Sequence, residues 1–319
     1  MKNSYSNIFP LSEKTLNKTI KLLTKGKLVA LPTETVYGLA GNGYSREAIR
    51  KIYRFKGRPK LNPLIIHYYD IQQILNDVVI NNNFKKLYEK LCPGPITFIL
   101  NKNKNSKINS LACAKLKTVA IRFPNHKIAR SILKNINYPL AMPSANISSN
   151  VSPVSARDVF EEFKNKIKII IDGGQSIVGI ESTVVDLTKD PVILRPGIIS
   201  SQDIEKILKL KVKQGTNNFK FKSPGMLKKH YSPGIPVLIN QKKPDKNSAF
   251  IYLGNKYHKD KKKFALSKNS NLEEAASNLY KTFRLIKKKG FKKIQIAKIP
   301  LRGAGIAIND RIKRAAKIK

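Results

Sequence analysis

Cysteine is scarce in this sequence, and that scarcity narrows its chemistry. Cys92 and Cys113 are the only two. They are too few for a disulfide framework, and neither stands in a C-x-x-C or histidine-rich setting that would hold zinc. Both are expected to be buried thiols. Long apolar runs are missing as well: none approaches the roughly 20 residues that cross a bilayer, and Met1-Lys2-Asn3-Ser4-Tyr5-Ser6 lacks the apolar segment of a signal peptide. A cytoplasmic protein with no membrane association is expected. Three nucleotide-binding signatures are also lacking, namely G-x-x-x-x-G-K-[ST], G-x-G-x-x-G opening a helix after a strand, and the kinase set. No Ser, Cys or His stands in a recognisable triad motif, so bound phosphates would have to be held by side chains.

Acidic residues are few. Against 20 Asp plus Glu stand 62 Lys plus Arg, and the net charge of +42 attracts an acidic partner such as RNA or a nucleotide over long range. Charge of this kind argues for attraction, not for a site, because Lys, Asn and Ile fill the chain generally. Only 12 of the 62 cations are Arg. In a chain that writes Lys so readily, an Arg inside a motif points to a need for its planar fork, which grips phosphate or carboxylate with two parallel bonds.

At 319 residues the chain exceeds the usual size of one domain, and two are expected. Ser12 can cap a first helix with Leu16, Ile20 and Leu23 on one face and Gly26 at its end. A strand at 27–31, a loop at 32–43, a helix from Ser45 to about Lys56 and a strand at 63–67 follow. Further helices are predicted over 71–78, 84–91, 127–135 and 156–163 and after Ser201, with strands near 96–100, 118–123, 140–142, 168–171, 182–187 and 192–195. This interleaving is mixed α/β. From 211 to 236 the periodicity fails and Gly, Pro, Asn and Lys cluster, which reads as a linker. Beyond it, strands at 237–240, 249–253 and 294–299 and helices at 272–288 and 309–316 predict a small second α/β domain. The expected division is therefore 1–210, 211–236 and 237–319.

The segment richest in chemistry is Lys56-Gly57-Arg58-Pro59-Lys60-Leu61-Asn62-Pro63-Leu64. Gly57 breaks the helix, two prolines stiffen the loop and cations converge. Cations are favourable at any helix C-terminus, so alone this could be an ordinary basic helix end. Its company changes that reading. Pro32-Thr33-Glu34-Thr35-Val36-Tyr37-Gly38-Leu39, Pro143-Ser144-Ala145-Asn146 and Gly179-Ile180-Glu181-Ser182-Thr183-Val184, which leads to Leu194-Arg195-Pro196-Gly197, are polar segments at strand ends, where α/β proteins place ligands.

In order and spacing these segments resemble the YrdC-like family in its long, two-domain threonylcarbamoyl-AMP synthase form. Ser223-Pro224-Gly225-Met226 through His230-Tyr231-Ser232-Pro233 is similar to that family's linker, and Gly303 through Arg311 to the end of its second domain. The resemblance implies a twisted mixed sheet with helices around a basic cleft, joined to a small Rossmann-like domain. It implies the condensation of L-threonine, bicarbonate and ATP, with Mg²⁺, to threonylcarbamoyl-AMP and pyrophosphate. A downstream threonylcarbamoyl-transfer enzyme would consume the product in modifying tRNA. Carried over by residue, Lys56 and Arg58 would grip phosphates in the catalytic step, while Asn62, Thr118, Asn146, Arg195 and Tyr231 would contact ATP with Arg58. Thr35, His67, Arg122, Ser144 and Ser182 would form the threonine side, with Arg122 forking onto the α-carboxylate.

The sequence departs from the family pattern at Ser149, where Gly is usual, and at Val154, where Thr is usual. Serine disfavours positive φ, and valine supplies no hydroxyl, so a nucleotide contact at 154 is not expected and ATP binding should be weaker. Two other readings remain open. One is the carbamoyl-phosphate chemistry of hydrogenase-maturation proteins, whose acylphosphatase and zinc-finger segments are missing here. The other is a non-catalytic RNA-binding or regulatory protein. Residues 220–319 carry 27 Lys plus Arg against 5 Asp plus Glu, so tRNA could dock there, although runs such as Lys261-Lys262-Lys263 equally suit a solvated surface. Arg58→Lys keeps charge but loses the fork. Pyrophosphate release at saturating substrates should fall by about tenfold or more, and unchanged turnover would count against the phosphate grip.

Overall fold

A computed structural model describes residues 5–215, 230–245, 247–257 and 260–316. The expected linker residues Ser223 to Met226 lie outside them. Helix ends follow local chemistry closely. Ser12 caps Glu13–Thr24 in a capping box with Thr15, and Ser45 caps Arg46–Lys56, which Gly57 closes at φ 57°. Ser155 and Ser200 form equivalent boxes with Asp158 and Asp203 at the starts of Ala156–Phe163 and Ser201–Leu208.

Eleven strands among the described residues form one mixed sheet. Its order in space is Ile8–Pro10, Ile170–Asp172, Val29–Leu31, Gly38–Asn42, Leu140–Ala141, Ile65–His67, Thr118–Arg122, Ile96–Asn101, Thr183–Asp186, Val192–Arg195 and Lys213–Gln214. Register brings the expected site together at its middle. His67 pairs with Arg122 on one side and Leu140 on the other, and Ile96 pairs with Thr183. One face buries Leu39, Ile52, Phe84, Phe98 and Ile121, the other Leu23, Val29, Leu31, Ile132 and Ile169.

A second sheet is fully parallel, in the order Val237–Leu238, Ile294–Ile296, Ala249–Tyr252, Lys263–Ala265. Helices Leu272–Lys288 and Ala304–Ala316 accompany it, a Rossmann-like arrangement. Its core does not stop at its own strands. Leu279, Phe283 and Ile308 belong to the same apolar cluster as Val36, Val151, Val154 and Ile180 from the first sheet's loops, with Tyr231 among them.

Several expectations are corrected. The predicted loop 32–43 contains the buried strand Gly38–Asn42, masked by two glycines and an asparagine that disfavour strands. Gly38 is there for close approach: a Cβ would meet Met142 Cγ at 2.3 Å. The predicted helix 71–78 is a single 3₁₀ turn at Gln72–Ile74. Buried Asp77 accepts from the hydroxyls of Tyr44, Tyr68 and Ser106, which draws the chain out of a helical path. The helix predicted from 309 begins at Ala304, because Gly305 reads as a breaker yet permits contact with Pro300 O, 2.0 Å from where a Cβ would sit. Cys113 is buried as expected, whereas Cys92 is partly exposed. Burial pushes their thiols up to about 11 and about 12 respectively.

Ser149 has φ 74°, the conformation a glycine would relieve. The position matters because Ser149 O accepts from the Ser232 N–H at 2.8 Å, joining the loop to the segment that carries Tyr231. Relief of roughly 1–2 kcal/mol of backbone strain, less about 0.5–1 kcal/mol for the freer unfolded chain, leaves a gain of up to about 1.5 kcal/mol. Ser149→Gly should therefore raise the thermal midpoint by a few degrees in calorimetry, and a lowered midpoint would refute the strain.

Candidate active site

The strand ends converge on a pocket whose polar wall carries Arg58, His67, Arg122, Ser144, Arg195 and Tyr231, with Thr35 and Glu181 beside them. His230 completes it. Its cavity of about 40 Å³ has room for water-sized molecules and not for a nucleotide.

Arg58 and Arg195 are fixed in part by backbone oxygen, and Arg122 by side-chain oxygen. Arg58 donates Nε to Asn62 O at 3.0 Å and Nη2 to Asn62 Oδ1 and Pro63 O, both at 2.7 Å. Burial, with nearby Arg195 adding repulsion, lowers its guanidinium to about 10, so it stays charged at neutral pH. Arg195 donates Nε to Ser182 O and Nη2 to Ser182 Oγ, both at 3.0 Å, and Ser182 Oγ lies 2.7 Å from Thr97 Oγ1. Arg122 donates Nη1 to Thr35 Oγ1 at 2.8 Å. Its Nη2 lies 2.7 Å from Glu34 Oε1, an ion pair without hydrogen-bond alignment. His67 Nδ1 is 3.2 Å from Ile65 O, and burial together with Arg122 lowers it to about 3, leaving a neutral ring.

Lys56 stands behind the wall. Its ammonium donates to Ser144 O at 2.6 Å and Asn146 O at 2.5 Å, and burial holds its pKa well below the usual range, with Arg58 adding to the shift. An ammonium has three donors, so one remains for an anion. Asn62, Asn146 and Ser182 likewise occupy the layer behind the lining. Thr118 is farther off: it opens the strand that ends at Arg122, roughly 13 Å away at about 3.3 Å per residue, and it is not part of the wall.

Two wall residues, Glu181 and His230, carry no role from sequence, nor does Glu34 behind Arg122. Glu34 and Glu181 lie inside motifs, and an acid there in so basic a chain is the signal that could find them. Glu181 accepts from Ser152 at 2.6 Å, from Tyr280 at 3.0 Å and from Arg311 at 2.8 Å. Burial alone would raise its pKa, but Arg311 and Arg195 outweigh it and hold the carboxyl at about 2. His230 precedes Tyr231, and burial lowers it to about 3. Val154, where a hydroxyl is usual, instead packs in the apolar cluster with Tyr231, while its N–H donates to Asp158 Oδ2.

Asn62 Nδ2, Arg122 Nε, Asn146 Oδ1, His230 Nδ1 and Tyr231 OH are buried without a hydrogen-bond partner among the described residues. Each such atom costs about 1–3 kcal/mol. Their concentration around one pocket marks a site built for a polar ligand.

A strand-end pocket with three guanidinium groups, on a mixed sheet joined to a small parallel α/β unit, defines a YrdC-like enzyme with an added C-terminal domain. The family model described as "Telomere recombination" matches residues 21–197, and the one described as "Threonylcarbamoyl-AMP synthase, C-terminal domain" matches 199–317. Proteins named threonylcarbamoyl-AMP synthase from Pyrococcus abyssi and Bacillus subtilis are each 36% identical to this chain. The first match covers 92% of both chains, the second 92% of this chain and 91% of the relative. The crystal structure of P. abyssi Sua5 complexed with L-threonine superposes with a TM-score of 0.88 at 34% identity, covering 97% of this chain and 96% of that one. The chain belongs to the two-domain threonylcarbamoyl-AMP synthase family.

The pocket's titrating groups make the fold acid-labile. His67 and His230 have folded pKa values of about 3 against an unfolded value of about 6.5, and Glu181 has about 2 against about 4.5. In all three the unfolded chain binds the extra proton, so stability is complete above about pH 6.5 and falls as pH drops. Guanidinium melts should show the midpoint falling from about pH 7 to about pH 4, and His67→Asn should flatten the upper part of that slope. An unchanged slope would contradict a buried neutral His67.

Proposed function

We propose that this pocket makes threonylcarbamoyl-AMP from L-threonine, bicarbonate and ATP, acting as a nucleotidyltransferase that releases pyrophosphate. The observation that carries this reading is the trio Arg58, Arg122 and Arg195 on one wall, with unpartnered polar atoms around it. The trio suits two anions that must meet. Bicarbonate dehydrates to carbon dioxide, threonine's amine adds to it with loss of a proton to give a carbamate, a carbamate oxygen attacks the α-phosphorus, and the bond to pyrophosphate breaks. No protein nucleophile is needed, and the wall supplies position and charge.

In this reading Arg122 takes the α-carboxylate, with Thr35, held at 2.8 Å, setting its plane. The complex of P. abyssi Sua5 with L-threonine supports threonine as the acid. Neutral His67 and Ser144 line the threonine side, with Ser182 behind them. Arg58, locked by Asn62, faces the leaving phosphates, and Lys56 supports it from behind the wall through the carbonyls of Ser144 and Asn146. Asn146, Arg195 and Tyr231 complete the nucleotide side, and Thr118 serves a part of ATP beyond the present cavity. Since that cavity is smaller than ATP, Tyr231 and the unit behind it act as a lid.

Among the described residues no group of three or more His, Cys, Asp or Glu could hold a metal ion, and Glu34 and Glu181 both face guanidinium groups. The residues present therefore do not fit a resident metal, and Mg²⁺ belongs to the reaction as part of the Mg-ATP substrate. We assign 1–210 to the catalytic domain, 211–236 to the linker and 237–319 to the second domain, noting that Lys213–Gln214 extends the first sheet. No helix among the described residues is long and apolar enough to cross a membrane. We place the reaction in the cytoplasm, where ATP and tRNA are at hand, with a threonylcarbamoyl-transfer enzyme as recipient and tRNA free to meet the basic surface.

Pyrophosphate release should require threonine and bicarbonate together with ATP; release without threonine, or none, would overturn this function. Arg122→Lys should raise the threonine KM by roughly 10- to 150-fold, the value of a charge-assisted fork worth about 1.5–3 kcal/mol. The ATP KM should move far less, and equal changes in both would remove Arg122 from the carboxylate.

A further inference from the structure

Arg311 lies in the second unit's helix Ala304–Ala316, yet its guanidinium reaches the first sheet and is fully buried. Nε donates to Glu181 Oε2 at 2.8 Å and Nη2 to Glu181 O at 3.3 Å. Nη1 donates to Pro196 O at 2.9 Å and to Asp310 Oδ2 at 2.7 Å, which anchors the fork on its own helix. Residue 181 directly precedes Ser182, and residue 196 directly follows Arg195. One planar group thus ties together the two strand ends that carry Ser182 and Arg195, which themselves meet through two bonds at 3.0 Å. A third pocket residue shares the support: the Tyr231 ring lies 5.2 Å from the Arg311 guanidinium carbon and stacks on Tyr280, which also donates to Glu181.

We propose that Arg311 is a positioning residue for the reaction, setting the separation of Ser182 and Arg195 and the seat of Tyr231, so that the pocket is assembled only when the second unit is docked. The wall's threonine side and nucleotide side both hang from this fork. Its planarity is what lets one side chain reach two carbonyls and two carboxylates in fixed directions, and a lysine ammonium cannot span them. The inference rests on the function proposed above.

A second cation crosses between the units and supplies the control. Arg284 donates Nη2 to Val151 O at 2.6 Å and to Glu162 at 3.1 Å, joining the units without reaching the pocket wall. The experiment compares Arg311→Lys, Arg311→Gln and Arg284→Gln in the full chain, first confirming that wild type releases pyrophosphate only with threonine. Failure of that check sinks the functional reading and leaves the positioning inference to be judged by amide exchange alone. Well below each variant's melting temperature, both Arg311 variants should lose about 10- to 100-fold in kcat/KM for threonine and for ATP. Amide exchange should quicken at 182–183 and at 195 and 197 while helix Ala304–Ala316 stays protected. Arg284→Gln should lower the melting temperature with both KM values within about twofold. The proposal is overturned if Arg311→Lys retains wild-type kinetics, if exchange at those strand ends is unchanged, or if Arg284→Gln impairs catalysis as much as Arg311→Gln.

Discussion

The cost of taking cations out of water governs this pocket. Lys56, Arg58, Arg122 and Arg195 are all buried, and the carboxylates that act on them include Glu34, Glu162 and Glu181. Glu181 is already engaged by a fifth buried cation, Arg311. A buried charge without compensation costs several kcal/mol. The fold answers with backbone carbonyls: those of Ser144 and Asn146 serve Lys56, those of Asn62 and Pro63 serve Arg58, and that of Ser182 serves Arg195. Carbonyl dipoles solvate a cation without neutralising it. The wall therefore keeps an excess of positive charge, and a triphosphate or a carboxylate arriving there meets donors already aimed.

The same constraint explains why the motifs are built as they are. Carbonyls point at a side chain where the chain leaves regular pairing, in keeping with the proline in each of Lys56–Leu64, 143–146 and 194–197 and the glycine in the first and last. It also explains the choice of arginine at 58, 122 and 195 in a chain that otherwise favours lysine. The planar fork of each guanidinium fixes the direction of every bond it makes, as the paired contacts of Arg58 and Arg195 show. Lysine at 56 has no fork to orient, and it serves behind the wall, where two carbonyls fix it.

What was legible in the sequence is what local chemistry decides. Ser12, Ser45 and Gly57 mark helix ends because capping involves residues within a turn, and the apolar stripes of the long helices read directly. Strands of three residues such as Ile8–Pro10 and Lys263–Ala265 offer too short a pattern to read. The site itself was largely legible because its residues sit in dense strand-end motifs, and seven of those named from sequence line the pocket. The role of Glu181 was not. Its partner Arg311 lies 130 positions away, and no periodicity or propensity connects residues across that distance.

The short link between Ser149 and Tyr231 bears on how the pocket opens. Ser149 and Tyr231 both have positive φ, at 74° and 63°, on either side of the contact between Asn150 and Ser232. Two such residues hold roughly 1–2 kcal/mol of strain each, and the buried Tyr231 hydroxyl lacks a partner among the described residues. Against this stand the burial of the Tyr231 ring against Tyr280 and Arg311 and its packing with Val154. Apolar packing of the ring is therefore what opposes the strained backbone and the unpartnered hydroxyl, and a valine at 154 adds apolar surface to that side of the balance.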